Sequence, residues 1–265
     1  MAQPPTGMNL ELKDKVAFIA GSSRGIGLAI AKAFAAEEAK VCITGRDANA
    51  LAGAHRMLAE SSDPGQVASL ACDMTKPQEI DRALGHALCV FGRLDAVVAS
   101  VGSGYGPSGW NITAADWQSA VETNLLASVM LATSALPILI SGGAGSITFI
   151  SSITGCEAMP APIPYSASKA ALHSAMKNFS RAAGPHGVRV NAVAPGNILF
   201  PGGSWERKLA ERKEFFEEYI AAEVPLRRFG TAAEIASTVV FLSSRQSSFT
   251  TGACFVLDGG QTRVV

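Results

Sequence analysis

Short apolar segments recur along the chain and alternate with stretches in which apolar residues have helical spacing. Seven of these segments are predicted strands, at residues 15–20, 40–44, 67–71, 95–99, 145–150, 188–193 and 253–257. Strands that alternate with helices favour a parallel sheet covered by helices on both faces. The pattern therefore predicts a doubly wound α/β fold, in which ligands bind at the carboxyl edge of the sheet.

A glycine-rich turn follows the first predicted strand. Gly21, Gly25 and Gly27 have the spacing G-x-x-x-G-x-G, and an alanine-rich helical pattern then continues to about Glu37. Glycines let a backbone approach a pyrophosphate, and the free N–H groups at a helix start favour its negative charge. The turn therefore predicts a Rossmann-type dinucleotide site, with a purely structural turn as the alternative, because the spacing departs from G-x-G-x-x-G.

A tyrosine and a lysine are placed on one face of a later predicted helix. Tyr165 and Lys169 are separated by three residues, which stacks them in a helix. A positive charge that favours the phenolate would lower the tyrosine pKa from about 10 towards neutral pH, where acid–base catalysis is efficient. Ser152 follows the predicted strand 145–150 and would hold a substrate oxygen. Taken singly, these residues also suit an exposed pair and a loop serine.

Together, the glycine turn, Ser152 and Tyr165-x-x-x-Lys169 resemble the single-domain branch of the short-chain dehydrogenase/reductase family, over nearly the whole chain. Further matches are Asp73, Asn124, Pro195-Gly196 and Leu257-Asp258-Gly259-Gly260. One departure is visible: where the family usually has Asn-Asn-Ala-Gly, this chain reads Ala99-Ser100-Val101-Gly102. The departure puts the usual structural hydrogen bonds there in question, although the glycine is kept.

The resemblance implies four catalytic residues. Tyr165 would be the general acid/base, and Ser152 would polarise the carbonyl oxygen. Lys169 would bind the nicotinamide ribose and favour the tyrosinate. Asn124 would retain a water that connects Lys169 to solvent, with a buried structural asparagine as the alternative. The implied reaction is carbonyl reduction, or alcohol oxidation in reverse, with hydride transfer to or from a nicotinamide cofactor.

The resemblance also implies a set of cofactor contacts. They are Gly21, Ser23, Arg24, Gly25, Ile26, Gly27, Arg46, Asp73, Met74, Ala99, Gly102, Tyr165, Lys169, Pro195, Gly196 and Ile198. An NAD-preferring member would usually carry an acidic residue where Gly45 stands. Arg24 and Arg46 would instead clamp a 2′-phosphate, unless both face solvent. We therefore expect NADP rather than NAD.

A mostly apolar group of residues is predicted to line the substrate pocket, which favours a hydrophobic ketone or acyl chain. Its members are Tyr105, Trp110, Ile153, Cys156, Met159, Leu199, Phe200 and Trp205. The nearest family analogy is a 3-oxoacyl-carrier-protein reductase or a related secondary-alcohol dehydrogenase. A catalytically silent nucleotide-binding regulator and the epimerase/dehydratase branch of the family are the alternatives, although the latter normally has a different glycine spacing.

Length and composition indicate one catalytic domain. The chain has 265 residues, of which 48% are hydrophobic, and zero formal net charge, which gives no electrostatic reason to expect nucleic acid. We expect a flexible leader at 1–9, a single domain at 10–265 and a substrate cover at 196–224. The apolar stretch Leu125–Ile140 contains Pro137 and is short for a membrane span. It predicts a buried helix and no membrane association.

Cysteine and histidine spacing predicts no metal site. Five cysteines (42, 72, 89, 156 and 254) and four histidines (55, 86, 173 and 186) are scattered along the chain. With no signal-like segment at the start, reduced thiols favour a cytoplasmic protein. The family resemblance implies a homotetramer that is built through the helices around Asn124 and Tyr165 and through the last strand.

Overall fold

Seven parallel strands form the central sheet of a computed structural model that describes residues 9–107 and 109–264. They are β1 Val16–Ala20, β2 Lys40–Gly45, β3 Val67–Ala71, β4 Ala96–Ala99, β5 Gly145–Ile150, β6 Val188–Pro195 and β9 Cys254–Leu257. Their order is β3-β2-β1-β4-β5-β6-β9. Every predicted strand is present with small shifts at its ends, so the prediction of a doubly wound parallel sheet is confirmed. The predicted leader, 1–9, lies outside the described residues apart from Asn9.

Eight α-helices connect or flank these strands in the described part of the chain. They are α1 Gly25–Ala36, α2 Ala48–Ala59, α3 Pro77–Phe91, α4 Ala114–Val121, α5 Ala127–Ser141, α6 Ile163–Ala183, α7 Ser204–Glu223 and α8 Ala232–Ser243. The first, second and eighth contribute to the core on one face of the sheet, and the third, fifth and sixth to the core on the other.

Alternation of side chains along the strands builds these two cores. In β1, Phe18 and Ala20 belong to the core with α3, α5 and α6, whereas Ala17 and Ile19 belong to the core with α1 and α8. All residues of β1 are buried, as expected for a strand covered on both faces. Helices therefore cover both faces of the sheet, and only the loops at its carboxyl edge can form a ligand site.

The helical run Ala114–Ser141 is long and apolar enough, by length and composition, to cross a membrane. Within it, Leu131, Ala132, Ala135 and Leu139 are fully buried in the core against the sheet. This is the burial of a core helix in a globular fold, as the sequence pattern predicts.

Two elements were not predicted. Strands β7 Ile198–Leu199 and β8 Gly230–Thr231 form a separate two-stranded parallel pair. Their pairing brings together the two ends of the segment 200–229, which contains α7. The second element is a π-helical turn, Glu122–Leu126, which joins α4 to α5.

Candidate active site

The glycine turn after β1 is too tight for side chains at two of its positions. Gly21 has a φ of +71°, and a Cβ there would lie 2.7 Å from the carbonyl oxygen of Ser100. A Cβ at Gly27 would lie 2.2 Å from the carbonyl oxygen of Gly21. Only glycine satisfies both contacts. The turn therefore delivers the amino end of α1, with its unpaired N–H groups, to the carboxyl edge of the sheet.

A cavity of about 670 Å³ opens over this turn. Its floor is formed by residues at the carboxyl ends of β1, β4, β5 and β6 and the loops that follow them, and its far side is formed by α7. The position matches the predicted ligand site at the sheet edge. The dinucleotide-binding prediction fits the donor set, because the helix start and two arginines, Arg24 and Arg46, line the same cavity.

Ser152, Tyr165 and Lys169 all line this cavity. Ser152 is the N-cap of a 3-10 helix, Ile153–Gly155, and its hydroxyl accepts a hydrogen bond from the Thr154 amide at 3.2 Å. Tyr165 and Lys169 lie in the first two turns of α6, and the Lys169 Nζ is 5.8 Å from the centroid of the Tyr165 ring. The sequence spacing therefore places them on one face, as predicted.

Burial sets the protonation states of this pair. Burial raises the pKa of Tyr165, and the neighbouring Ser152 hydroxyl opposes this shift. Burial lowers the pKa of Lys169 to about 8. The sequence-based expectation that the lysine lowers the tyrosine pKa is wrong for this structure, because desolvation dominates and Nζ is directed to the Ile150 carbonyl oxygen at 2.9 Å.

Asn124 is buried in the π-helical turn rather than on a regular helix. Its Oδ1 accepts a hydrogen bond from the Ser103 amide at 2.7 Å, and its Nδ2 donates to the Ala120 carbonyl at 3.1 Å. The departure at 99–102 is accommodated here, since Asn124 holds the loop after β4. A Cβ at Gly102 would lie 3.0 Å from Asn124 Oδ1 and 3.2 Å from Lys169 Nζ. A side chain at this point would therefore crowd both Asn124 and Lys169.

Most of the predicted cofactor residues line the cavity. They are Gly21, Arg24, Gly25, Ile26, Gly27, Arg46, Gly102, Tyr165, Lys169, Pro195, Gly196 and Ile198. Four others lie outside its lining: Ser23, Asp73, Met74 and Ala99. Met74 and Ala99 are buried in the core, and the Asp73 carboxylate accepts hydrogen bonds from the amide and the hydroxyl of Thr75. Asp73 therefore stabilises a turn after β3, and its contact with the cofactor stays a prediction.

The arginines have space at the end of β2 because Gly45 carries no side chain. A Cβ at Gly45 would lie 3.0 Å from the Ser23 side chain, so an acidic residue would crowd the turn. Burial raises the pKa of Asp73, but the Thr75 hydrogen bonds and the charge of Arg46 lower it overall. Arg46 therefore lies close enough to Asp73 to act electrostatically on its carboxylate.

The predicted substrate residues are only partly confirmed as lining the cavity. Tyr105, Ile153, Met159, Phe200 and Trp205 line it, but Trp110, Cys156 and Leu199 do not. Trp110 is 88% exposed. Residues of α7 that the sequence reasoning did not single out also line the cavity: Lys208, Phe215, Phe216 and Tyr219. The mixed charged and aromatic composition of this segment was the only sequence signal for them.

The α7 side of the cavity is an aromatic cluster centred on Trp205. Its ring stacks on Tyr219 with centroids 6.0 Å apart and meets Phe216 edge-on at 5.6 Å. The Lys208 Nζ lies 4.1 Å from the Trp205 ring centroid, within cation–π range. Tyr219 also accepts a hydrogen bond from the Gln261 side chain at 2.8 Å, which ties the cluster to the segment after β9.

Gly155 is a positioning residue that sequence reasoning missed. A Cβ there would lie 2.7 Å from the carbonyl carbon of Lys169. The absence of a side chain lets the 3-10 helix that carries Ser152 pack directly on the backbone of α6. The relative placement of Ser152 and Tyr165 depends on this contact between segments that are distant in sequence.

Comparisons with known proteins agree with this geometry. A family model described as enoyl-(acyl carrier protein) reductase matches residues 20–262. The 2-(S)-hydroxypropyl-CoM dehydrogenase 3 of Xanthobacter autotrophicus is 33% identical over 97% of this chain and 100% of that protein. A 3-oxoacyl-acyl-carrier-protein reductase of Chlamydia muridarum is 32% identical over 96% of this chain and 99% of that protein. This chain belongs to the short-chain dehydrogenase/reductase family.

A solved structure extends the likeness to the whole fold of this dehydrogenase/reductase. The L-sorbose reductase from Gluconobacter frateurii, in complex with NADPH and L-sorbose, has a TM-score of 0.92 and 30% identity, over 97% of this chain and 100% of that chain. The predicted family and enzyme class are thereby confirmed: the protein is an oxidoreductase that acts on CH–OH or C=O groups with a nicotinamide cofactor.

The buried Lys169 should make the free energy of unfolding of this dehydrogenase/reductase vary with pH in the alkaline range. Its folded pKa of about 8 lies below the ordinary value of 10.5, so the unfolded chain binds more protons between these values. The contribution of Lys169 to stability is therefore complete above the unfolded pKa and is lost as pH falls through 8. Between pH 8 and pH 10, urea titrations should show the wild type gaining on the order of 2 kcal/mol over Lys169→Met.

Lys32→Met, which replaces an exposed lysine, is the matched control and should show no such trend against the wild type. A wild-type advantage over Lys169→Met that stays constant or falls across this range would contradict the burial of the ammonium.

Proposed function

We propose that this protein is an NADP-preferring ketone reductase, which in reverse oxidises a secondary alcohol. The observation that carries the proposal is that Ser152, Tyr165 and Lys169 line one cavity together with the glycine turn. A raised pKa keeps the Tyr165 phenol protonated at neutral pH, the form that donates a proton to a carbonyl oxygen. A protonated phenol is the form that carbonyl reduction requires.

Each residue of the site has a distinct task in this proposal. The nicotinamide cofactor, when bound, supplies or accepts the hydride. Ser152 donates a hydrogen bond to the substrate carbonyl oxygen, and Tyr165 donates both a hydrogen bond and then its proton to the same oxygen. Lys169 supplies positive charge beside the phenol and binds the nicotinamide ribose. Asn124 holds the loop after β4 next to Lys169 and supports a water-linked path by which Tyr165 regains its proton.

Replacement of Tyr165 by Phe tests the proton donor. Loss of general acid catalysis typically costs a factor of about 10² to 10⁴ in rate, so Tyr165→Phe should lower turnover by that much. NADPH binding, followed by its fluorescence, should be unchanged.

Tyr105→Phe is the matched control because Tyr105 lines the same cavity and has no role in proton transfer here. It should keep turnover near the wild-type value. Near-full turnover by Tyr165→Phe would contradict the assignment of Tyr165 as the proton donor. Loss of NADPH binding by the same variant would show that the substitution damages the fold.

The cofactor preference is proposed from Arg24 and Arg46, which line the cavity together, and from Gly45, which leaves no carboxylate at the end of β2. A guanidinium binds a phosphate through paired charge-assisted hydrogen bonds. A hydrogen bond to a charged group contributes about 1.5–3 kcal/mol, or roughly a factor of 10 to 100. Arg46→Ala should therefore raise the KM for NADPH by roughly that factor and leave the KM for NADH nearly unchanged.

Arg56→Ala, at an exposed arginine of α2, is the control for a general loss of positive charge. Equal changes in the two KM values for Arg46→Ala would contradict a 2′-phosphate clamp.

The substrate class is proposed from the cavity lining. Apolar and aromatic side chains, including Ile153, Met159 and Trp205, support a substrate with a hydrophobic body. Lys208 adds a positive charge on the α7 side, and the described residues place no carboxylate within salt-bridge distance of it. We therefore refine the sequence-based hypothesis to an apolar ketone that also carries one anionic group.

A pair of substrates that differ only in charge tests this role of Lys208. An apolar 2-oxo acid and its methyl ester would be compared with the wild type and with Lys208→Met. The variant should lose roughly tenfold or more in kcat/KM for the acid and little for the ester.

Lys213→Met is the control on the same helix, since Lys213 is exposed and pairs with Glu217. Equal losses for acid and ester would show that Lys208 only packs against Trp205.

Two further functions stay open to the same assays. The Chlamydia relative's name supports 3-oxoacyl thioesters as test substrates, and a silent nucleotide-binding regulator would bind NADPH without turnover of any substrate. A homotetramer is supported by exposed apolar residues in two places. Leu126 ends the π-helical turn and Met130 lies on α5, whereas Val256 lies in the edge strand β9 and Phe249 precedes it. A cytoplasmic location remains part of the proposal, because free cysteines are typical of proteins in a reducing compartment.

A further inference from the structure

A cluster of sulfur and nitrogen donors lies behind the catalytic helix. Cys156, His173 and Cys254 each offer one donor atom, and all three atoms lie within 4.8 Å of one another. Cys156 ends the 3-10 helix after Ser152, His173 is one turn beyond Lys169 on α6, and Cys254 begins β9. The residues are far apart in sequence, which is why their spacing indicated no site.

The distances within the cluster suit a tetrahedral metal ion. The Cys254 Sγ is 3.6 Å from the His173 Nε2. Zinc binds thiolate sulfur at about 2.3 Å and imidazole nitrogen at about 2.0–2.1 Å, so two tetrahedral ligands lie roughly 3.5 Å apart. The observed separation therefore needs little adjustment for one ion to contact both atoms.

The neighbours of His173 direct its Nε2 towards the cluster. The Ser151 hydroxyl is 2.7 Å from His173 Nε2, and the Gly155 backbone is a hydrogen-bond partner of the ring. A backbone partner at one ring nitrogen, an arrangement common around protein metal sites, directs the other towards the cluster. There a metal ion would replace the hydrogen bond between His173 Nε2 and Ser151. The carboxylates of Glu157 and Asp258 also act electrostatically on Cys156, and their negative charge favours a cation nearby.

We propose that Cys156, His173 and Cys254 form a binding site for a thiophilic divalent cation of the zinc class. Two thiolates and one imidazole supply three ligands, and the Ser151 hydroxyl or a water completes the tetrahedron. The two thiols release their protons to solvent on binding. The site adjoins the cavity, because Ser151 lines the cavity whereas the two cysteines and His173 do not. Its ligands join the Ser152 segment, the catalytic helix and the edge strand.

Binding of Co²⁺ tests the proposal with a readout that is independent of reductase activity. Full-length protein would be reduced with a phosphine, freed of metal by a chelator, and titrated with Co²⁺. Thiolate ligation gives intense near-ultraviolet charge-transfer absorption, and tetrahedral geometry gives strong visible bands. We expect saturation at one equivalent per chain and loss of both signals when Zn²⁺ is added. Absence of a thiolate band in the wild type would overturn the proposal.

Cysteine variants locate the site. Cys156→Ser and Cys254→Ser should each weaken Co²⁺ binding by at least about tenfold, since even outer-sphere partners are worth that much. Cys89→Ser removes an exposed thiol elsewhere and should leave the titration unchanged. If a serine variant fails to fold by circular dichroism, the corresponding alanine variant replaces it. Wild-type Co²⁺ spectra in both folded variants, or loss of the band in Cys89→Ser alone, would overturn the assignment.

The proposal does not depend on the proposed reaction. A protein that binds Co²⁺ through these residues but reduces no ketone would contradict only the function. A protein that reduces ketones but shows no thiolate band would contradict only the metal site.

Discussion

A single buried ammonium connects the catalytic helix to the central sheet. Lys169 donates a hydrogen bond from α6 to the carbonyl oxygen at the end of β5, and it is almost completely shielded from water. A buried charge is unfavourable unless polar groups surround it. The buried charge of Lys169 lies where Tyr165 and Ser152 line the cavity. The remaining site geometry depends on this anchor, because Tyr165 precedes Lys169 by one turn and Gly155 packs on its backbone.

Periodicity made the sheet predictable. Strands buried on both faces appear as short apolar runs, and the glycine spacing before α1 is visible without any long-range information. Tyr165 and Lys169 were predictable as a pair because their spacing is local. The features that sequence did not reveal depend on contacts between distant segments. The small pair β7 and β8, the contact of Gly155 with α6, and the meeting of Cys156 with His173 and Cys254 have no local signature.

The direction of the pKa shift at Tyr165 is another property that the sequence alone did not predict. A sequence places a lysine beside a tyrosine but does not say how far water is excluded from either. In the structure burial raises the pKa of Tyr165 against the opposing effect of the Ser152 hydroxyl, and the ammonium is turned towards a carbonyl oxygen. Helical spacing therefore identifies the pair, whereas its protonation depends on packing that involves β5, the 3-10 helix and the loop after β4.

The two sides of the cavity differ in their physical character. Its floor consists of strand ends and glycine turns whose positions are fixed by backbone contacts. Its other side is α7, which has non-helical backbone angles at Arg212 and holds its aromatic cluster mainly through side chains. The proposed dinucleotide contacts therefore lie on elements held by close backbone packing. The proposed substrate contacts on α7 lie on side chains that pack mainly against one another.

The π-helical turn around Asn124 has a consequence for the whole helical run that contains it. A π turn holds one residue more than an α turn, and each residue in a helix advances the side-chain direction by about 100°. The turn therefore resets the angular phase between α4 and α5. The outward faces of α4 and α5 can therefore differ in direction, because the two helices no longer share one continuous stripe. The one extra residue lets the apolar faces of α4 and α5 point in different directions, whereas a regular helix would keep them on one line.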